Sequence, residues 1–350
     1  MPTFQQLTET LEIDVYTAAK ERIRHIMDIF DTLVVCFSGG KDSLTVLHLV
    51  KEVYDEMGIQ TPINVVFRDE ELIPDDVINF VQGYAKQPWI NMTYYACQLE
   101  SNKYILGKTY EYVQWDKNRK WLRPKPENAV TLDDNHIYDQ YSMDNEIVKN
   151  FKGKVALMNG IRAQESIVRF RSCVNKKNEN YICASSSARA MMCKPIYDWS
   201  EDDIFRYFYE KNITYCKIYD IQHLNGEAMR VATPLHAESA KKFHKIKTRY
   251  PLFYQQLVDI FPEMLLQERY YGEIDQYAMM HQYPQTFEGI QQYCMDHITD
   301  RSQRSLALKR LEEVKRWIGK TDGYTIKGVF KQIITGAYKR TLLPTVSSKK

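Results

Sequence analysis

Within six residues, Ser38-Gly39-Gly40-Lys41-Asp42-Ser43 sets two glycines, an ammonium, a carboxylate and two hydroxyls. That set suits a phosphate. Glycines let the backbone curl close to an anion, lysine supplies a point charge, and hydroxyls donate hydrogen bonds. The glycine-to-lysine spacing is not that of the GxxxxGK[ST] loop. Asp42 has two open roles, capping a helix that follows or holding a metal beside the phosphates. A second set is Gly160-Ile161-Arg162-Ala163-Gln164-Glu165-Ser166, with Arg169 and Arg171 behind it. A guanidinium fork makes paired hydrogen bonds to phosphate or sulfate. Glu165 would orient Arg162 or sit against a metal. In Asp69-Glu70-Glu71, Asp69 reads either as a contact to a ribose or metal, or as part of a solvated loop.

The elements that must hold these groups are legible around them. Apolar positions at three- and four-residue steps predict a helix over 13–30, and the run Leu33-Val34-Val35-Cys36-Phe37 predicts a strand buried on both faces. A helix carrying Val46, Val50 and Val53 follows the Ser38–Ser43 loop. Ile63 to Phe67, Met92 to Tyr95 and Val155 to Met158 read as further strands, with a helix over 75–84. The alternation predicts an α/β fold, a doubly wound parallel sheet with a helical C-terminal region. Its phosphate loop would lie at the strand C-termini, and Gly160–Ser166 would follow the neighbouring strand across the topological switch point. Between about 97 and 150 the pattern fails, which predicts an insertion, basic at its start with Lys117, Arg119, Lys120, Arg123 and Lys125. Helical periodicity marks 201–211, 238–249, 252–261 and 301–318. The expected organisation is a nucleotide-binding domain over 1–220 and a helical region over 221–350, with a basic tail from 301.

Together these motifs resemble the PP-loop ATP pyrophosphatases and the related sulfonucleotide (PAPS) reductases. The loop matches their SGGxDS signature, Gly160–Ser166 their GxRxxES block, and Lys194-Pro195-Ile196-Tyr197-Asp198-Trp199 with Asp203-Ile204 their P-I-x-D-W-x-x-x-D-I segment. In that last segment Ser200 reads as a helix N-cap and Trp199 as packing. The nearest resemblance is to a phage- and plasmid-associated branch, the immunoglobulin-binding-regulator A type, through Arg230-Val231-Ala232-Thr233-Pro234. The resemblance implies ATP or a related adenine nucleotide bound with Mg²⁺. Ser38, Gly39, Gly40, Ser43, Asp69, Gly160, Glu165, Ser166 and Arg169 would contact it, and Lys41, Arg162 and Asp42 would act at the phosphates. It also implies a ParB-like partner protein.

Other features narrow the chemistry. The Glu-Cys-Gly-Leu-His block that carries the reductases' nucleophile is absent, and Cys294 is the last cysteine. Cys173, Cys183 and Cys193 are evenly spaced but lack CC or CxxC spacing, which counts against an iron–sulfur cluster. The odd total of 7 cysteines, the absence of any run near ~18 apolar residues and the plain Met1–Gln6 start predict a reduced, cytoplasmic protein without a membrane span. The formal charge of +2 conceals an asymmetry, because residues 301–350 hold 13 Lys/Arg against 3 Asp/Glu. Interleaved with Trp317, Tyr324, Phe330 and Tyr338, these cations suit a solvated face, docking on the acidic remainder, or nucleic acid. The leading expectation is chemistry at the α-phosphate of ATP, with or on nucleic acid. A low-turnover nucleotide-binding regulator working with DNA comes second and sulfonucleotide reduction third.

Overall fold

Residues 32–36 are apolar or β-branched and become β1 (Thr32–Cys36), whose Leu33, Val34 and Val35 are buried. The computed structural model describes residues 13–133, 135–173, 179–226, 229–271, 278–318 and 324–344. Asp14 caps α1 (Val15–Ile29) by accepting from the Tyr16 and Thr17 amides. After β1 come α2 (Lys41–Glu56), β2 (Ile63–Arg68), α3 (Asp75–Ala85) and β3 (Ile90–Tyr95). The expected insertion holds a two-stranded sheet of β4 (Leu99–Ile105) and β5 (Lys108–Gln114), then α4 (Gln140–Lys149). The chain returns as β6 (Val155–Met158), α5 (Ile167–Ser172), β7 (Ile182–Ala184), β8 (Ala190–Cys193), α6 (Glu201–Glu210) and α7 (Ile218–Leu224).

The main sheet has the order β3-β2-β1-β6-β8-β7, parallel except for the β7–β8 pair. In register, Val34 of β1 stands opposite Asn64 on β2 and Leu157 on β6. The chain winds outward from β1 to β3 and then back to β6 on the other side. The switch point therefore falls between β1 and β6, where ligands of such sheets bind. The fold is the expected α/β class. Its main core lies between the sheet and the helices, with Ile23, Val35, Leu47, Val50, Phe67, Val81 and Trp199 fully or almost fully buried.

Contacts divide the chain into two compact units. One spans Leu11–Tyr104 and Thr109–Glu268, so α8 (Ala237–Ala240), α9 (Phe243–Arg249), α10 (Pro251–Ile260) and most of α11 (Met264–Tyr270) belong with the sheet. Within this stretch the division between the units falls after Glu268, and Ile105–Lys108 group with the other unit. The single helix expected over 238–249 is two, because Lys242 leaves helical geometry at φ −113° and ψ 22°. The other unit contains Arg269–Lys350, with α12 (Phe287–His297), α13 (Arg301–Lys315) and α14 (Ile326–Ile334). Its core includes Ile290, Cys294, Leu311, Phe330 and Ile333.

This second core corrects one sequence expectation. Tyr324, Phe330 and Tyr338 are buried packing residues, not stacking faces between the cations. Arg301, Lys309, Arg316, Lys327, Lys339 and Arg340 remain exposed, while Met1–Gln6 and Lys320 fall outside the described residues. Among the described residues, no helix is long and apolar enough to cross a membrane.

On α2, His48 hydrogen-bonds the Tyr84 hydroxyl at 2.8 Å and meets Trp89 edge-on. Burial pushes its imidazole down from 6.5 to about 4, with Glu52 opposing and Lys51 adding to the shift. The unfolded chain therefore takes up this proton first as pH falls. The group costs nothing above its unfolded value, and stability is lost progressively from about pH 6.5 towards 4, by roughly 3 kcal/mol at most. The variant His48→Gln, which keeps a polar group but does not titrate, should lose less Tm than wild type between pH 6.5 and 4.5. Parallel thermal melts check this.

Candidate functional site

The Ser38–Ser43 loop joins β1 to α2, and Gly40 is the helix N-cap. It closes on itself through its serines. The Ser38 amide donates to Ser43 Oγ at 3.1 Å, Ser43 Oγ donates to the Gly40 carbonyl at 3.0 Å, and the two hydroxyls lie 3.0 Å apart. The hydroxyls therefore shape the turn as well as line it. Gly39 has φ +74°, and a Cβ there would stand 2.9 Å from methyls of both Val77 and Val81. Only glycine fits without strain.

The second motif is pressed against the first. A Cβ on Gly160 would lie 2.5 Å from the Asp42 carbonyl carbon and 2.6 Å from the Ser43 nitrogen, both backbone atoms that cannot swing aside. Two residues on, Arg162 donates from Nε to Asp42 Oδ1 at 2.5 Å and from Nη1 to the Trp199 carbonyl at 3.5 Å. Lys41 Nζ reaches Asp42 Oδ2 at 3.2 Å, Glu201 Oε1 at 3.2 Å and the Met229 carbonyl at 3.1 Å. Both cations are 4% exposed, so the loop's positive charge is concentrated and held by carboxylates at short range. Asp42 is the bridge between them and does not cap α2.

The other expected residues have distinct places. Glu165 accepts the Arg162 amide at 3.0 Å and pairs with Arg169, so it fixes the backbone at Arg162 and not its guanidinium. Ser166 caps α5 by accepting the Arg169 amide at 3.2 Å. Asp69 is 4% exposed at the end of β2, away from solvent. Its Oδ1 accepts from the Glu71 amide at 2.8 Å and from Arg123 Nη2 at 2.6 Å, and its Oδ2 accepts from the Tyr94 hydroxyl. The Arg123 bond ties Asp69 to the insertion. The solvated-loop alternative is thus excluded by burial.

Four residues of the site had no role in the sequence reading. Glu201 sits beside Lys41 from the first turn of α6, a helix capped as expected by Ser200. Tyr219 on α7 accepts the Lys41 amide at 2.7 Å, and burial raises its phenol well above its ordinary range. Met229 supplies its carbonyl, and Val231 approaches within 3.8 Å of a Cβ placed on Gly40. Val231 belongs to the Arg-Val-x-x-Pro segment, and Glu201 lies within the Pro-Ile-x-Asp-Trp segment, two residues after Trp199. A signal therefore existed for both, without a role attached to it.

A glycine-rich loop at a helix N-terminus, beside the switch point of a parallel sheet and flanked by buried cations, has the chemistry to hold a phosphate. Residues 32–225 match the phosphoadenosine phosphosulfate reductase domain, and the chain belongs to that family. It is 29% identical over 247 residues to the uncharacterized protein YbdN of Escherichia coli (strain K12), a match covering 65% of this chain and 60% of that protein's length. Among solved structures, Candida glabrata FMN adenylyltransferase in complex with FMN and the ATP analogue AMPCPP aligns at a TM-score of 0.41. It has 14% identity and covers 61% of this chain and 65% of its own. The phosphoadenylyl-sulfate reductase of Candida auris, a phosphate complex, aligns at 0.35 with 12% identity, covering 64% and 98%.

The Gly160 contact makes a sharp test. Gly160→Ala must push the loop backbone at Asp42–Ser43 and should weaken adenine-nucleotide binding at least about tenfold, or about 1.4 kcal/mol. Calorimetric titration with AMPCPP reads it, and circular dichroism reports whether the fold is retained.

Proposed function

We propose that the chain binds ATP at the Ser38–Ser43 loop and cleaves it between the α- and β-phosphorus atoms, transferring the adenylyl group to an acceptor. The observation that carries this reading is the convergence of buried Lys41 and Arg162 on Asp42 at the N-terminus of α2. Two cations at the positive end of a helix form a receptor for the charge of a polyphosphate. Membership of the phosphoadenosine phosphosulfate reductase domain family supports an adenine nucleotide as its carrier.

In the proposed step an acceptor oxygen attacks the α-phosphorus and the bond from that phosphorus to the α–β bridging oxygen breaks. Pyrophosphate leaves with the electron pair. Lys41 and Arg162 would stabilise the charge that builds on the phosphate oxygens, and the closed loop would hold the α-phosphate in line. Among the described residues no group of three or more His, Cys, Asp or Glu side chains could hold a metal ion. Mg²⁺ usually needs only one or two carboxylates when it arrives on nucleotide phosphates, and Asp42 and Glu201 meet that need. When bound, it would supply further neutralisation of the phosphates. Cys294 is buried, and burial pushes its thiol up to about 11, a poor setting for a sulfur nucleophile.

Lys41→Ala should weaken ATP binding by ~1.5–3 kcal/mol, the range for a charge-assisted hydrogen bond, and should also lower the melting temperature, because the ammonium is buried against Asp42. Turnover of ATP labelled at the α and γ positions should yield AMP and pyrophosphate on thin-layer plates. Accumulation of ADP and orthophosphate would overturn the mechanism.

A further inference from the structure

Residues 230–234 and the helices α7, α9 and α10 line a cavity of about 180 Å³. Three cations face it, Arg230, Lys242 and Arg249, together with apolar side chains that include Ile218, Ile246 and Phe253. Its described lining residues include no aspartate or glutamate. Among the described side chains, none pairs with the Arg230 guanidinium or the Lys242 ammonium. Arg249 is anchored through Nε on the Lys245 carbonyl at 3.2 Å. The neighbouring Asp76 is already engaged, by the Tyr250 hydroxyl at 3.0 Å and by Lys217 at 3.0 Å. Lys41 and Arg162, by contrast, are each held by a carboxylate.

Shared elements fix this cavity beside the Ser38–Ser43 loop. Ile218 and Gln222 of α7 line it, and Tyr219 between them accepts the Lys41 amide. The buried Gln222 carboxamide clamps the Arg230 backbone, donating to its carbonyl at 2.7 Å and accepting its amide at 2.8 Å. Arg230 stands in the chain between Met229, whose carbonyl accepts from Lys41, and Val231, which approaches Gly40. Consecutive Cα atoms are ~3.8 Å apart, so its side chain starts one residue from the loop's own contacts. Pro74, the N-cap of α3 after β2, puts the cavity on the same edge of the sheet as the loop after β1.

We propose that this cavity holds the acceptor of the adenylyl group by a phosphate monoester, with an apolar part of the acceptor against Ile218, Ile246 and Phe253. Three cations facing no carboxylate require more than one negative charge for balance. A phosphate monoester carries about −1.5 to −2 at neutral pH, and guanidinium forks match its oxygens in pairs. A carboxylate carries a single charge. The apolar wall offers area that free phosphate cannot cover. The role as acceptor site rests on the proposed ATP reading, whereas the phosphate cavity itself does not.

Calorimetric titration of the full-length chain with phenyl phosphate tests this, with benzoate and inorganic phosphate in parallel. Phenyl phosphate should bind at least about fivefold more tightly than either. Arg230→Gln and Lys242→Gln, both at exposed positions, should each weaken it at least about tenfold. Lys247→Gln, exposed on α9 and outside the cavity, should leave it unchanged. Arg230→Gln should keep AMPCPP affinity near wild type, and Lys41→Ala should do the reverse, weakening AMPCPP and sparing phenyl phosphate. Absent phenyl phosphate binding, or benzoate binding equally well, overturns the proposal. So does binding lost in Lys41→Ala and kept in Arg230→Gln, because the ligand then sits in the loop. Equal weakening by Lys247→Gln overturns it as well, because the attraction is then diffuse. If the wild type fails to bind AMPCPP but binds phenyl phosphate through Arg230, the ATP reading and the acceptor role fall and the phosphate cavity stands.

Discussion

The close approach of two loop backbones governs this site. Gly160, following β6, rests on the peptide between Asp42 and Ser43, following β1, with no room for a Cβ. Parallel pairing of β1 with β6 brings the two strand ends level, and the missing side chain lets the loops touch. That contact lets Arg162 reach Asp42 and so brings a second buried cation to the Lys41 loop. Residues 120 apart in sequence become one charged cluster because one position is glycine.

The insertion is joined to the sheet by a comparable device of opposite sign. Glu71 is fully buried with φ +62°, a backbone state that is costly for a residue with a side chain and persists where the surroundings enforce it. Its carboxylate accepts both terminal nitrogens of Arg119 at 2.7 and 2.5 Å and the amides of Trp115 and Leu122. Arg123 joins Asp69 beside it. Cations that look in sequence like a basic surface stretch are thus partly consumed inside the unit. Lys125 lies over the Trp121 ring at 4.9 Å.

What was legible in the sequence follows from how local each signal is. The strands Leu33–Phe37 and Ile63–Phe67 announce themselves because both faces are buried, and the loop because glycine, lysine and serine have few other reasons to cluster. The β4–β5 hairpin was missed because its polar side chains give no clear alternation, as in Leu99-Glu100-Ser101-Asn102-Lys103. The short β7 and β8 pair at the sheet edge offered too few residues for a period. Asp69 was placed at the strand end correctly, but its partners Tyr94 and Arg123 lie 25 and 54 residues away, beyond any local pattern. The roles of Glu201 and Tyr219 also depend on tertiary contact, and no spacing rule reaches from α6 or α7 to the loop.

The central claim is that the loop's cations are preloaded against carboxylates and exchange them for phosphate. Glu201 is the member of the cluster most open to solvent, at 43% side-chain exposure, and on the proposed reading it would compete with phosphate for Lys41. The most direct measurement is AMPCPP affinity in EDTA, which removes any metal role, for wild type and Glu201→Gln. If phosphate replaces Glu201 at Lys41, the variant binds more tightly, by about three- to tenfold or 0.7–1.4 kcal/mol. Unchanged or weaker binding would contradict the account.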